Sequence, residues 1–292
     1  MKWWNGLTTR IESNAPLAEL TWYKLGGPAR WMVSPSSVDD LREVVRRTAA
    51  RGVEMRVLGG GANVLIRDDG FDGTVIRLDA PAFTRMQFDG EQVYAGAGVD
   101  LMTLARRCSQ RGLSGMERMA GIPGTVGGAV RMNAGGRYGQ FGSVVQRVFV
   151  VGACGKLDQI DREELQFGYR SSDIGRRIVV GAVLRLTHAD ADETVARFKS
   201  IWAEKKKTQP LAARTAGCVF KNPPGEAAGA LIDRAGLKGT RRGGAVVSMR
   251  HANFIETESS ARSADVIALI DHLRETVSRR CGIEMELEID VW

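Results

Sequence analysis

Apolar positions along this chain alternate between two periods. In "SSVDDLREVVRRTAARG" (36–52), Val38, Leu41, Val44, Val45 and Ala49 recur at helical spacing behind the cap candidates Ser36 and Ser37, and Gly52 stops the run. "VEMRVL" (53–58) then reads as a strand running straight into "GGGANVLI" (59–66). Further strands are predicted at "GTVIRL" (73–78), "QVYAGAG" (92–98), "VVQRVFVVG" (144–152) and "RIVVGAVLRL" (177–186), with helices at about 99–111 and 190–207. The last third changes character. It predicts a Gly/Ala-rich helix near 225–235, short strands at 244–256, a long helix at about 260–281 and a final strand at 283–291. In that strand Ile283, Met285, Leu287 and Ile289 alternate with Glu284, Glu286 and Glu288. Such a mixture predicts an α+β fold rather than one regular βα alternation. No fixed-period repeat is present, and a boundary is expected near "KKKTQPLAARTAG" (205–217).

At 292 residues the chain can build two or three compact units, and 43% hydrophobic with 26% charged residues is ordinary for a globular protein. No apolar run approaches the roughly 20 residues a membrane-spanning helix needs. "MKWWNGLTTRIESN" lacks the apolar core of a signal peptide, so a cytoplasmic protein is expected. Cys108, Cys154, Cys218 and Cys281 are scattered, and with only His188, His251 and His272 no metal-ligand spacing appears, so no metal is expected. The net charge of +7 suits either nucleic acid or small anionic ligands. Its one tight basic run, Lys205–Lys207, reads as a solvated helix face, so no nucleic-acid partner is expected.

Two stretches are unusual. "LGGGANVLIRDDGFDG" (58–73) and "AGIPGTVGGAVRMNAG" (120–135) are apolar and glycine-rich, where a linker would be polar. Ordering so many glycines is costly unless the backbone must approach something closely. Neither stretch is a Walker A loop or the GxGxxG dinucleotide fingerprint. They read either as tight turns of buried sheets or as loops that lay backbone N–H groups against one extended, pyrophosphate-bearing ligand, with Asn63 and Asn133 adding side-chain hydrogen bonds.

Both stretches, together with "KLGGPARW" (24–31), "YRSS" (169–172), "AGCVFKNP" (216–223), "AGALIDRAGLKG" (228–239), "GGAVVSMRHANFI" (243–255) and "GIEMELEI" (282–289), resemble, in order, segments of the UDP-N-acetylenolpyruvoylglucosamine reductase (MurB) family. Lacking any tyrosine after Tyr169, the chain resembles the shorter subclass, without a tyrosine loop over the nucleotide. The resemblance implies a two-lobed FAD-binding domain of the p-cresol methylhydroxylase/vanillyl-alcohol oxidase type (lobes 1–80 and 81–207) and a C-terminal α+β substrate domain (208–292). It implies an NADPH-dependent flavoenzyme of peptidoglycan synthesis that reduces an enolpyruvyl UDP-sugar to UDP-N-acetylmuramate, with FAD held non-covalently and the chain acting as a monomer. Its FAD-binding residues would be Gly59, Gly60, Gly61, Ala62, Asn63, Val64, Gly121, Ile122, Pro123, Gly124, Thr125, Gly127, Gly128 and Asn133.

The same resemblance gives Arg170 contact with the substrate carboxylate, Cys218 the role of proton donor, and Glu288 that of the catalytic glutamate. Tyr169, Lys221 and Asn222 would bind substrate, and Lys238, Arg241 or Arg242 would hold its phosphates in place of the missing tyrosine clamp. Two positions depart from the family pattern. Most members carry serine where Cys218 stands, and a thiol is the stronger acid, with a pKa of about 8.5. The tail reads Glu288-Ile289-Asp290 where the family has Glu-Val-Arg. The alternatives are another FAD-dependent oxidoreductase of this superfamily, a catalytically altered nucleotide-sugar-binding homologue, and a nucleic-acid-binding module resting on charge alone.

Overall fold

The computed structural model describes Trp4 and residues 6–292. The chain forms two compact units, each assembled from separated segments. The first comprises the residues up to Asn14, Arg30–Gly60 and Asp72–Glu204; the second comprises Ala15–Ala29, Gly61–Phe71 and Lys205–Trp292.

The first unit is built on two sheets. One has the strand order Arg10–Ala15, Ala29–Ser34, Phe71–Ile76, Met55–Val57, the last two running parallel. The other is an antiparallel sheet in the order Leu157–Asp161, Val145–Val151, Ile178–Arg185, Gln92–Gly96, Met86–Asp89. The predicted first helix forms at Val38–Ala49, where Ser37 caps it by accepting from the Asp40 N–H at 3.1 Å. Its apolar stripe buries Leu41, Val44 and Val45 in the core, each contributing on the order of 1.5–3 kcal/mol. Helix Leu101–Ser109 is capped by Asp100, which accepts from Thr103 N at 2.7 Å. Inside the second glycine stretch a short helix, Val126–Met132, has no counterpart in the apolar pattern; it ends on Asn133 in the left-handed region.

The second unit packs helices Ala228–Arg234 and Ser263–Cys281 with a small antiparallel sheet, Arg241–Arg242, Ala245–Val247 and Ile255–Thr257. Leu231, Ile232, Val266, Leu269, Ile270, Leu273 and Val277 supply the helical side of its core; Val219, Phe220, Met285 and Ile289 complete it. The long helix is capped from another segment: Asp68 accepts from Ser263 N at 2.9 Å and Ala264 N at 3.3 Å.

The predicted final strand is only partly a strand. Regular pairing is confined to Asp290–Val291, parallel to Val64–Leu65, with one isolated bridge from Leu287 to Phe220. The alternating pattern stands because Met285 and Ile289 are buried. The backbone between them bonds irregularly to residues 219–221 instead of forming a ladder.

Candidate active site

Within the first unit, the turn after Met55–Val57 lies against the second glycine loop. A Cβ on Gly59 would fall 2.6 Å from Thr125 Oγ1, and one on Gly60 would fall 2.9 Å from the Gly124 Cα. Only glycine allows backbones to meet this closely. Gly121 and Gly124 have φ of 73° and 119°, outside ordinary side-chain conformations. Neighbouring amides are spent internally: Ile122 N donates to Met119 O at 3.0 Å, Val126 N to Val99 O at 2.9 Å and Gly127 N to Ala97 O at 2.8 Å. Among the described residues, the N–H groups of Gly59, Gly60, Gly124 and Thr125 have no protein acceptor. Pro123 has no N–H to offer, and Gly128 adds no side chain to the helix start. A side-chain-free wall with unpaired amide donors suits a phosphate-bearing cofactor. Arg77 props it from behind, its Nη1 donating to Gly59 O at 2.9 Å.

Asn133 is fully buried at φ 43°. Its Nδ2 donates to Gln140 Oε1 at 2.7 Å and Gly168 O at 2.8 Å, and its Oδ1 accepts from Gly142 N at 2.9 Å. The expected side-chain bond from Asn133 to a cofactor is therefore replaced by a structural one, because both its donors are used within the protein. Tyr169 and Arg170 form the turn between the paired segments Phe167–Gly168 and Ser171–Ser172. Arg170 takes φ 55°, and its guanidinium lies 5.0 Å from the centre of the exposed Tyr169 ring.

Within the second unit, Gly61 is required by close approach: a Cβ there would lie 2.0 Å from Leu20 O. Ala62 follows, and Asn63 is tied to the chain end, its Nδ2 donating to Glu288 O and its O accepting from Asp290 N, both at 2.9 Å. Val64 pairs with Asp290. The segment 218–221 is held on two sides. Cys218 bridges Phe254, Val219 N donates to Asn253 O at 2.8 Å, and Val219 O accepts from Glu288 N at 2.8 Å. Lys221 N donates to Glu286 O at 2.8 Å, and its Nζ pairs with Glu286 Oε1 at 2.5 Å. Cys218 and Glu288 are both half-buried, so the thiol and the carboxyl belong to neighbouring strands of backbone, both tied to Val219. Asn222 Oδ1 accepts from Ala228 N at 3.0 Å and so steadies the start of helix Ala228–Arg234.

Lys238 and Arg241 are engaged in ion pairs with Asp233 (2.7 Å) and Glu258 (2.6 Å). His251 accepts at Nδ1 from Asn253 N at 3.3 Å and stacks edge-on against Phe254; burial lowers its pKa. The residue that sequence reasoning passed over is Asn253. It is buried, and its amide closes on both backbone polar groups of one residue: Oδ1 accepts from Phe220 N at 3.0 Å and Nδ2 donates to Phe220 O at 2.7 Å. The signal was present in "HANFI", where an asparagine stands between apolar residues at the entry to a strand.

Residues 29–161 match the FAD binding domain family, in accord with the α+β flavoprotein fold expected, and residues 209–292 match the family described as UDP-N-acetylenolpyruvoylglucosamine reductase, C-terminal domain. The chain is 37% identical to the UDP-N-acetylenolpyruvoylglucosamine reductase of Bacillus subtilis, the alignment covering 97% of this chain and 94% of that one. It is 42% identical to the enzyme of that name from Alkalilimnicola ehrlichii, over 94% of this chain and 92% of the other. A crystal structure of the reductase from Thermus caldophilus superposes with a TM-score of 0.85 at 36% identity, covering 97% of this chain and 99% of that chain. The chain belongs to the UDP-N-acetylenolpyruvoylglucosamine reductase family.

Proposed function

We propose that this protein is an NADPH-dependent flavoenzyme reducing UDP-N-acetylglucosamine enolpyruvate to UDP-N-acetylmuramate in peptidoglycan synthesis. The observation that carries this reading is that Val219, next in the chain to Cys218, accepts from Glu288 N at 2.8 Å through its carbonyl, inside the segment that matches the reductase C-terminal family. Bound FAD would supply the hydride, taken from NADPH, to the terminal methylene of the enolpyruvyl ether. That addition leaves negative charge on the adjacent carbon and its carboxylate, which needs fixed donors and a positioned acid. Arg170 meets the carboxylate with a planar guanidinium fork that suits bidentate bonding. Cys218 Sγ gives its proton to the adjacent carbon, so that the vinyl group becomes a lactyl group, and Glu288 is the second titratable group serving that transfer.

The unspent amides of Gly59, Gly60, Gly124 and Thr125, in the loops Gly59–Val64 and Gly121–Gly128, hold the FAD non-covalently. Tyr169, Lys221 and Asn222 face the UDP-sugar. Residues 1–80 and 81–207 are the two cofactor lobes and 208–292 the substrate domain, in a monomeric cytoplasmic enzyme. No helix among the described residues is long and apolar enough to cross a membrane. The test is anaerobic. The purified yellow protein should bleach with one equivalent of NADPH, regain colour on addition of the enolpyruvyl UDP-sugar, and yield UDP-N-acetylmuramate. Recovery of colour only on admitting oxygen would refute the substrate assignment.

A further inference from the structure

We infer that Asn133 is a positioning residue for Arg170, acting through the turn that carries it; this rests on the reading of Arg170 as the carboxylate ligand. Tyr169 and Arg170 are the two turn residues between Gly168 and Ser171, which pair across the hairpin. Of the two, only Arg170 has positive φ, at 55°. A positive φ at the second turn position is the pattern of a type II turn, which normally places glycine there. A non-glycine residue stays in such a conformation only where its surroundings fix it.

Two bonds do so, one to each side of the hairpin. Asn133 Nδ2 donates to Gly168 O at 2.8 Å on the incoming side. Ser172 Oγ donates to Arg131 O at 2.9 Å on the outgoing side. Arg131 closes the helix Val126–Met132 and Asn133 is its left-handed cap, so both anchors belong to the helix that the second glycine loop begins. A third tie, Arg131 Nη1 to Gly175 O at 2.6 Å, holds the chain just beyond the turn. Asn133 is itself locked: it is fully buried, and its remaining polar valences go to Gln140 and Gly142. The turn backbone that carries Arg170 is thus anchored to a helix end on both sides.

The test is a double-mutant cycle on the FAD-loaded enzyme, with affinity for the product UDP-N-acetylmuramate measured by calorimetry. Asn133→Gly keeps a residue that tolerates left-handed backbone and removes only the clamp. It should weaken product binding about tenfold, while in an Arg170→Ala background it should weaken it no further. Its flavin content and its rate of flavin reduction by NADPH should match wild type. Equal weakening with and without Arg170 would overturn the inference, and so would loss of flavin, which would make Asn133 a support of the cofactor loop alone. Wild-type product affinity in Arg170→Ala would overturn the carboxylate assignment and this inference with it. If Asn133→Gly fails to fold, Ser172→Ala carries the same cycle, with an expected weakening of about threefold that again vanishes without Arg170.

Discussion

The Val219 carbonyl accepts from the Glu288 N–H at 2.8 Å, while the Val219 N–H donates in the opposite direction to Asn253 O, also at 2.8 Å. One peptide segment therefore references a thiol at 218 and a carboxyl at 288 to the same buried frame. That frame includes the Asn253 side chain, which takes the place of a strand partner for Phe220 by satisfying its N–H and C=O together. The arrangement places Cys218 next to backbone that is hydrogen-bonded on two sides.

Asn253→Ala should lower stability by about 2–6 kcal/mol, because two buried backbone groups each lose a partner at about 1–3 kcal/mol apiece. Asn253→Asp keeps the acceptor but turns an oxygen toward the Phe220 carbonyl, 2.7 Å from the present donor, and buries a charge, so at neutral pH its loss should equal or exceed that of alanine. Denaturant unfolding measures both, and wild-type stability in Asn253→Ala would show that water replaces the amide at no cost.

Gly59→Ala should deplete the purified protein of flavin without unfolding it. The new Cβ would sit 2.6 Å from Thr125 Oγ1, so that hydroxyl must give way, whereas Thr125 Cβ stays 3.7 Å away. Removing the hydroxyl with Thr125→Ala in the same chain should restore part of the flavin content. Full flavin occupancy in Gly59→Ala alone would mean that this approach is not part of the cofactor cradle.

Asp68→Ala should cost about 0.5–2 kcal/mol, the range for losing a helix cap. Its dependence on pH has a definite sign. Burial alone would raise the Asp68 pKa, but the Ser263 N–H and hydroxyl, the Ala264 N–H and the Arg262 charge together bring it below the usual value. The folded state thus holds the carboxylate more tightly than the unfolded chain, where the pKa is about 3.9. This stabilisation is present above that value and is lost as pH falls through the folded pKa. Unfolding curves of wild type and Asp68→Ala should therefore differ at neutral pH and converge in strong acid; a gap independent of pH would point to packing instead.

The helices were legible because their stripes and caps are local: Ser37, Val38 and Leu41 announce Val38–Ala49 in a single stretch of chain. The final strand was legible as an alternating pattern but not as irregular pairing, since its partners at 219–221 lie far away in sequence. The glycine loops could be seen as backbone surfaces, yet the use of Asn133 could not. An asparagine after a glycine-rich run reads equally as ligand contact or helix cap, and only the positions of Gln140, Gly142 and Gly168 decide. Likewise "SVDDL" shows its own cap, whereas the cap of Ser263–Cys281 comes from Asp68, which no local pattern connects to it.

Cys218→Ala and Cys218→Ser separate acid from packing. Hydride addition to the enolpyruvyl group creates carbanion character that must be quenched by a proton, so the donor is needed only after the flavin has been reduced. Cys218→Ala should retain FAD and be reduced by NADPH at the wild-type rate. Its reoxidation by the enolpyruvyl sugar should fall by about 10² or more, the scale of losing a positioned general acid. Cys218→Ser restores a donor at the same position, smaller and less acidic than the thiol, and should recover a substantial part of that loss. Because the bridge between Cys218 and Phe254 is made by flanking backbone, Val219 N donating to Asn253 O at 2.8 Å, neither change removes a backbone bond of that frame, and the two variants should unfold at the same denaturant concentration as wild type. Wild-type reoxidation in Cys218→Ala would mean that the proton comes from another group and that the thiol merely fills space.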